Sequence, residues 1–263
     1  MKKILILIFV FIMVGMNITT TGVTIKRYPI TTDEENIIYV GGDGPGNYSK
    51  IQDAIDNASD MDTVFVYKGL YFEHIRIDKD INLFGEDKDK TIIDAMGVET
   101  GVEIGANVNL SGFTIRHAVE GISNFVPPSP NNVYKFFVYG NIIKSNVVGI
   151  GLGGSFNSII EHNNISYNEL GINFFNADDY EVKNNNFINN DKSAYFEYVF
   201  YLQFMPRIKW KGNYWNNWNI GLPKAIRGEK VIVMVFRPGY VVKKSICPWY
   251  NIDWSPSKTP IEI

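Results

Sequence analysis

The chain has 263 residues, 45% hydrophobic, 20% charged and 14% aromatic, with a formal net charge of −3 and one cysteine. That is material for one large or two small domains, and it excludes a wholly disordered or collagen-like chain. The lone Cys247 excludes an intrachain disulfide framework and any Cys-x-x-Cys metal site. Asparagine is in excess, 28 residues crowded toward the middle of the chain. Charge is uneven as well. Residues 24–201 hold 13 basic and 25 acidic side chains, whereas residues 202–263 hold 10 basic and 3 acidic. Either two surfaces simply differ in charge, or the basic end meets an anionic partner such as an acidic glycan or a membrane surface. An acidic chain without a basic run does not point to nucleic acid.

In chain order, Lys2 and Lys3 precede an apolar run from Ile4 to Met16, too short for a membrane span. Residues 1–22 read as an export signal, with an uncleaved N-terminal anchor as the other reading. The expected location is extracellular, cell-surface or periplasm-like, with membrane contact only through that segment if uncleaved. Sequons begin at Asn47, Asn57, Asn109 and Asn164, but an Asn-rich chain acquires sequons by chance. A polar leader covers 23–36.

Ile37 to Val40 reads as a strand, and Gly41 to Asn47 as a turn cluster. Ser49-Lys-Ile-Gln52 has the form of a capping box, and Ile51, Ala54, Ile55 and Ala58 make one apolar helical face. After this helix the signal is strand: Thr63–Tyr67, His74–Ile77, Ile81–Phe84 and Thr91–Asp94, separated by Gly and Asp turns.

Two markers then recur together. Gly101-Val, Gly121-Ile, Gly149-Ile, Gly171-Ile and Ala194-Tyr stand 20 to 28 residues apart; Asn141-Ile, Asn164-Ile, Asn186-Phe and Asn213-Tyr stand 22 to 27 apart. The one long interval of the first series contains Phe125–Asn132, a proline-rich segment that reads as a protruding loop. Short strands repeating at this period imply a solenoid, and neither leucine-rich nor helical repeats fit. The expected fold is all-β: a single right-handed parallel β-helix over 37–215, with three short strands per coil. Equivalent residues stack roughly 4.8 Å apart, so an Asn at one turn position hydrogen-bonds its counterparts above and below. Ile142, Ile165 and Phe187 are the expected inward stack, and Glu161 lies one coil from Lys183 as an opposite-charge rung. Open strand edges need covers. The helix is placed at the front, and 216–263 is expected to close the rear as an irregular, basic, Trp-rich cap.

Several stretches carry a resemblance. Tyr39-Val-Gly-Gly-Asp-Gly-Pro-Gly-Asn-Tyr-Ser-Lys-Ile-Gln-Asp-Ala-Ile55 and Asp62-Thr-Val-Phe-Val-Tyr-Lys-Gly-Leu-Tyr-Phe-Glu73 resemble the opening of pectin-lyase-like β-helix proteins. Residues 101–215 resemble the Asn-rich repeats of NosD-type and CASH (carbohydrate-binding and sugar-hydrolase) families. Gly212-Asn-Tyr-Trp-Asn-Asn-Trp218 and Pro248-Trp-Tyr-Asn-Ile-Asp-Trp254 look like the end of exported archaeal β-helix proteins. Such a resemblance is specific for fold and weak for activity, because the superfamily spans lyases, hydrolases and binding proteins.

It implies two site classes. Polysaccharide lyases of this fold use a calcium-binding acidic cluster and a basic side chain; the matching candidates are Asp178, Asp179 and Glu181, with Lys183 beside them. A glycosidase needs two carboxyl groups facing one groove, and the sequence does not single out a pair. Copper is suggested by the NosD name alone. His74, His117 and His162 are scattered, and Met205 and Met234 are unpaired, so no metal site is expected. Calcium enters only with the lyase alternative, and no other cofactor is expected. Tyr214, Trp215, Trp218, Trp249, Tyr250 and Trp254 suit stacking on sugar rings, or plugging an apolar coil end. Tyr167, Phe174, Phe175, Tyr180 and Tyr195 form a second aromatic group. The leading expectation is an exported surface protein that binds carbohydrate, or a scaffold, without enzymatic activity. The alternative is a polysaccharide lyase or glycoside hydrolase acting on an extracellular glycan.

Overall fold

Apart from one C-terminal hairpin, the strands pair in parallel, with partners about one repeat away in sequence. The computed structural model describes residues 36–97, 99–124, 134–200, 208–218, 220–237 and 240–263, with side chains described except at 155–156, 199–200, 232–237 and 240–246. Residues 1–35, which include the expected signal, and the Phe125–Asn132 segment lie outside the described residues. Among the described residues no helix is long and apolar enough to cross a membrane.

The coil has three faces. The first stacks Ile37–Val40, Thr63–Val66, Ile81–Gly85, Val108–Ser111, Phe136–Tyr139, residues 158–161, residues 180–183 and Ile208–Lys211. The second stacks Gly69–Tyr71, Thr91–Asp94, Thr114–Arg116, Ile142–Lys144, Asn164–Ser166, Asn186–Ile188 and Tyr214–Trp215. The third stacks Ile75–Ile77, Thr100–Ile104, Glu120–Asn124, and the opening residues of the long strands Val148–Glu161, Leu170–Lys183 and Lys192–Phe200. This is a parallel β-helix with three strands per coil.

Alternation sends every second side chain inward, and the inward residues form apolar ladders. On the second face these are Tyr71, Ile93, Ile115, Ile143, Ile165, Phe187 and Trp215, all buried. On the first face they include Leu83, Leu110, Val138, Ile160, Val182 and Trp210.

The observed register corrects the expected one by a single residue. Ile142 pairs with Asn164, which pairs in turn with Asn186, so Ile143, not Ile142, continues the inward stack. The stacked amides are accordingly Asn141, Asn163, Asn185 and Asn213. Similarly Ala194 pairs with Ile172, which aligns Gly171 with Ser193 rather than with Ala194. The glycines of that marker are required by close approach: a Cβ on Gly121 would stand 2.6 Å from the carbonyl oxygen of Gly149 in the next coil.

The helix Ile51–Asn57 buries Ile51, Ala54 and Ile55. Its capping box does not form, since Lys50 is the N-cap and no side chain of the cap bonds the first turn. The Glu73 carboxylate takes that place, accepting from the Ile51 and Gln52 amides at 2.9 and 3.0 Å. The tail also departs from expectation. Instead of an irregular cap, Lys224–Arg237 and Tyr240–Asp253 form a long antiparallel hairpin. Residues 229–232 extend the third face in parallel beyond 197–200, and Asp253 pairs with Trp210 of the first face. The coil pattern therefore runs past residue 215.

Candidate functional site

Two columns of outward side chains run along the first face. One reads Thr63, Asn82, Asn109, Phe137, Ile159, Glu181, Lys209; the other Phe65, Phe84, Ser111, Tyr139, Glu161, Lys183, Lys211. The second begins aromatic and ends charged. Glu161 and Lys183 form the expected rung, with Nζ 3.1 Å from Oε2, and His162 Nδ1 lies 3.1 Å from Oε1 of the same carboxylate.

At the charged end of this face the hairpin strand crosses close by and encloses a pocket of about 570 Å³. Its wall combines Glu181, Lys209 and Lys211 from the first face with Tyr250, Asn251 and Trp254 from the tail. Strand alternation explains the lysines, because Ile208 and Trp210 point inward and leave Lys209 and Lys211 exposed. Trp254 is 71% exposed and Tyr250 55% exposed, so both rings are open to a ligand. Two donors in the same wall, Trp210 Nε1 and Asn251 Nδ2, are buried without a hydrogen-bond partner. Both atoms are sealed from solvent, so neither is presented to a ligand in the pocket. The pocket thus offers flat aromatic faces, two cations and one carboxylate.

The expected set of three acids and Lys183 divides. Glu181 enters this pocket. Lys183 is engaged by Glu161. Asp178 and Asp179 sit farther back on the same strand, where the pairing is irregular and Asp179 takes a left-handed φ of 62°. Burial, and then the charge of Asp178, push the Tyr198 phenol upward. Among the described residues no three His, Cys, Asp or Glu side chains come together in a way that could hold a metal.

The aromatic set divides too. Trp215 is fully buried, stacked on Phe187 at 4.3 Å, and its Nε1 donates to Asp253 at 3.2 Å. It is core and has no face for a sugar. Trp218 packs against the core, donates Nε1 to Leu222 O at 2.8 Å and carries Lys224 Nζ 4.7 Å from its ring. Trp249 is partly buried under Lys230 Nζ at 3.2 Å, and Tyr214 is partly buried opposite Asn186. Only Tyr250 and Trp254 of this set line the pocket. Of the second aromatic group, Phe174 and Tyr180 are core, Tyr195 is partly buried, and Tyr167 and Phe175 are exposed. Met205 and the Met234 side chain lie outside the described residues.

Sequence reasoning missed Lys209, Lys211, Trp210 and Asn251. The alternation Ile208-Lys-Trp-Lys211 was a usable strand signal with outward lysines, whereas the arrival of Asn251 depends on the hairpin.

No family model matches the chain, and no curated protein matches it. The NosD-type, CASH and archaeal resemblances therefore stay expectations. Solved structures that resemble it include pectin methylesterase PemA from Erwinia chrysanthemi, at 13% identity over 62% of this chain and 55% of that one, TM-score 0.37. A pectin methylesterase in complex with a hexasaccharide gives 14% identity over 61% and 55%, TM-score 0.38. The deglycosylated pectin methylesterase from Aspergillus niger gives 20% over 62% and 56%, TM-score 0.24. The matched region spans about half the length of these proteins. The coil architecture itself rests on the strand registers.

Proposed function

We propose that this chain is an exported protein, wound in the usual right-handed sense of parallel crossovers, that recognises an acidic polysaccharide at the pocket between Ile208–Lys211 and the tail. The observation that carries the reading is the convergence of exposed Trp254 and Tyr250 with Lys209 and Lys211 on one concave surface. Aromatic faces take the apolar face of a sugar ring, and ammonium groups take its carboxylate.

The test is affinity electrophoresis and calorimetry with polygalacturonate, a neutral glucan and a polyglucosamine. Retention by the polyuronate is expected, weakened about tenfold (~1.4 kcal/mol) by Trp254→Ala. Replacing Lys209 and Lys211 by Ala is expected to weaken binding most at low salt. Absence of binding to every glycan, or binding indifferent to both changes, overturns the reading. A second reading, a glycan-cleaving enzyme, draws on the Glu181 carboxylate next to Lys209 in the pocket. New reducing or unsaturated ends in the same incubations, lost in Glu181→Gln, would establish it.

A further inference from the structure

A second corner of the coil, between the second and third faces, carries a different set of groups. At this corner one residue per coil is left-handed: His117, Ser145, Tyr167 and Asn189, with φ of 54°, 56°, 55° and 52°. Register places them in one column, because Arg116, Lys144, Ser166 and Ile188, which precede them, pair in that order. All four are exposed, and all line an open groove of about 810 Å³.

Beneath His117 lies Asp94, 4% exposed. Asp94 Oδ1 accepts the Met96 amide at 3.1 Å, and Oδ2 accepts Arg116 Nε at 2.9 Å and His117 Nδ1 at 3.0 Å. A carboxylate on Nδ1 holds the proton there and turns Nε2 outward as a base. Ser145 is the next residue up the column. The His117 amide donates to the Ser145 carbonyl at 3.1 Å, so the two side chains leave the same corner one coil apart, roughly 4.8 Å.

We propose that this groove is a hydrolytic site in which Ser145 is the nucleophile, His117 its general base and Asp94 the group that orients the imidazole, acting on an uncharged carboxylic ester. Asp94, His117 and Ser145 lie on three successive coils, and Tyr167, on a fourth, lines the same groove. Ser145 Oγ attacks the ester carbonyl carbon as its proton passes to His117 Nε2. The tetrahedral intermediate collapses, the C–O bond to the alcohol breaks, and the alcohol leaves with that proton. Water then attacks the acyl-serine, giving its proton to His117, and the acid departs as Ser145 regains its hydrogen. Burial raises the Asp94 carboxyl, but the Met96 amide, Arg116 and His117 outweigh it and hold Asp94 below the ordinary carboxylate range. It therefore stays ionised at neutral pH, as an orienting group must. Glu169 and Asp191 on the rim disfavour anionic substrates, and Met96 and Val147 give the groove its apolar walls.

The experiment treats the full chain with a biotinylated fluorophosphonate and, separately, with p-nitrophenyl acetate. Peptide mass spectrometry is expected to find the phosphonyl group on Ser145, and ester turnover is expected to fall about 10³-fold in His117→Gln. Ser145→Gly suits the left-handed backbone and keeps the fold, so it isolates the hydroxyl; labelling is expected to vanish and turnover to fall equally. Wild-type chain that melts cooperatively yet leaves Ser145 unlabelled overturns the proposal, as does undiminished turnover in Ser145→Gly. These residues are separate from the glycan pocket, so neither outcome depends on polysaccharide binding.

Discussion

Neighbouring asparagines in this chain do unequal work. Asn163 is fully buried; its amide N–H donates to Asn185 Oδ1 at 2.9 Å, and its Nδ2 reaches Val138 O, Glu161 O and Asn185 Oδ1 at 2.9 to 3.0 Å. Asn164, the next residue, is only partly buried and stands outside this row. Truncating Asn163 leaves buried donors and acceptors of three coils unpaired, which costs about 1–3 kcal/mol for each unsatisfied group. Asn163→Ala is expected to destabilise by about 2–4 kcal/mol and Asn164→Ala by less than about 1 kcal/mol in urea unfolding. Equal losses would contradict the observed register. The Asn period was legible in the sequence, but its phase was not, because the doublet Asn163-Asn164 and triplet Asn184-Asn185-Asn186 disguise which amide points inward. The apolar residue two places on (Ile143, Ile165, Phe187, Trp215) is the better phase mark, since an unbroken buried column tolerates no slip. A second row, Asn146, Asn168 and Asn190, has the same 22-residue period and went unread. Its signal is an Asn three residues before the small residue of the other marker.

At the scale of elements, local pattern and tertiary partner compete for each helix end. Ser49 and Gln52 have the spacing of a capping box, yet Glu73, 21 to 22 residues away, holds the first-turn amides. Gln52 instead exchanges hydrogen bonds with the backbone of Arg76, at 2.8 and 3.1 Å. Lys79 closes the other end, its Nζ reaching the carbonyls of Ile55, Asp56 and Ala58 at 2.6 to 3.1 Å. Glu73→Ala is expected to cost about 1 kcal/mol and Ser49→Ala nearly nothing, read from denaturation midpoints. The reverse order would restore the local cap. Strand positions were legible because alternation and turn residues act within a few residues. The hairpin was not, because its pairing with the coil joins residues 43 apart in sequence, Trp210 with Asp253. The pocket inherits that division. Tyr250 and Trp254 could be read as exposed aromatics, but their meeting with Lys209 and Lys211 is a product of the tail's path.

At the scale of the molecule, a parallel β-helix is a stack of nearest-neighbour interfaces, and its stability is close to a sum over coils. Removing residues 163–184 joins His162 to Asn185 and deletes one coil in register. This shortened chain is expected to keep its far-UV spectrum and a cooperative, lower melting transition. Removing residues 163–183 instead puts Asn186 where Phe187 belongs and turns every later side chain over. That chain is expected not to fold, which circular dichroism would show directly. The Asn row adds a direction to this modularity. Each amide gives hydrogens toward the later coil: Asn141 to Asn163, Asn163 to Asn185, Asn185 to Asn213. The last recipient is Asp253, buried, with one oxygen facing Asn213 N, Asn213 Nδ2 and Trp215 Nε1 at 3.1 to 3.2 Å. A carboxylate takes hydrogens and returns none, so it acts as a full stop. A coil inserted inside the row, upstream of the terminator, would meet a donor on one side and an acceptor on the other, whereas a coil appended beyond Asp253 would find no donor waiting for it.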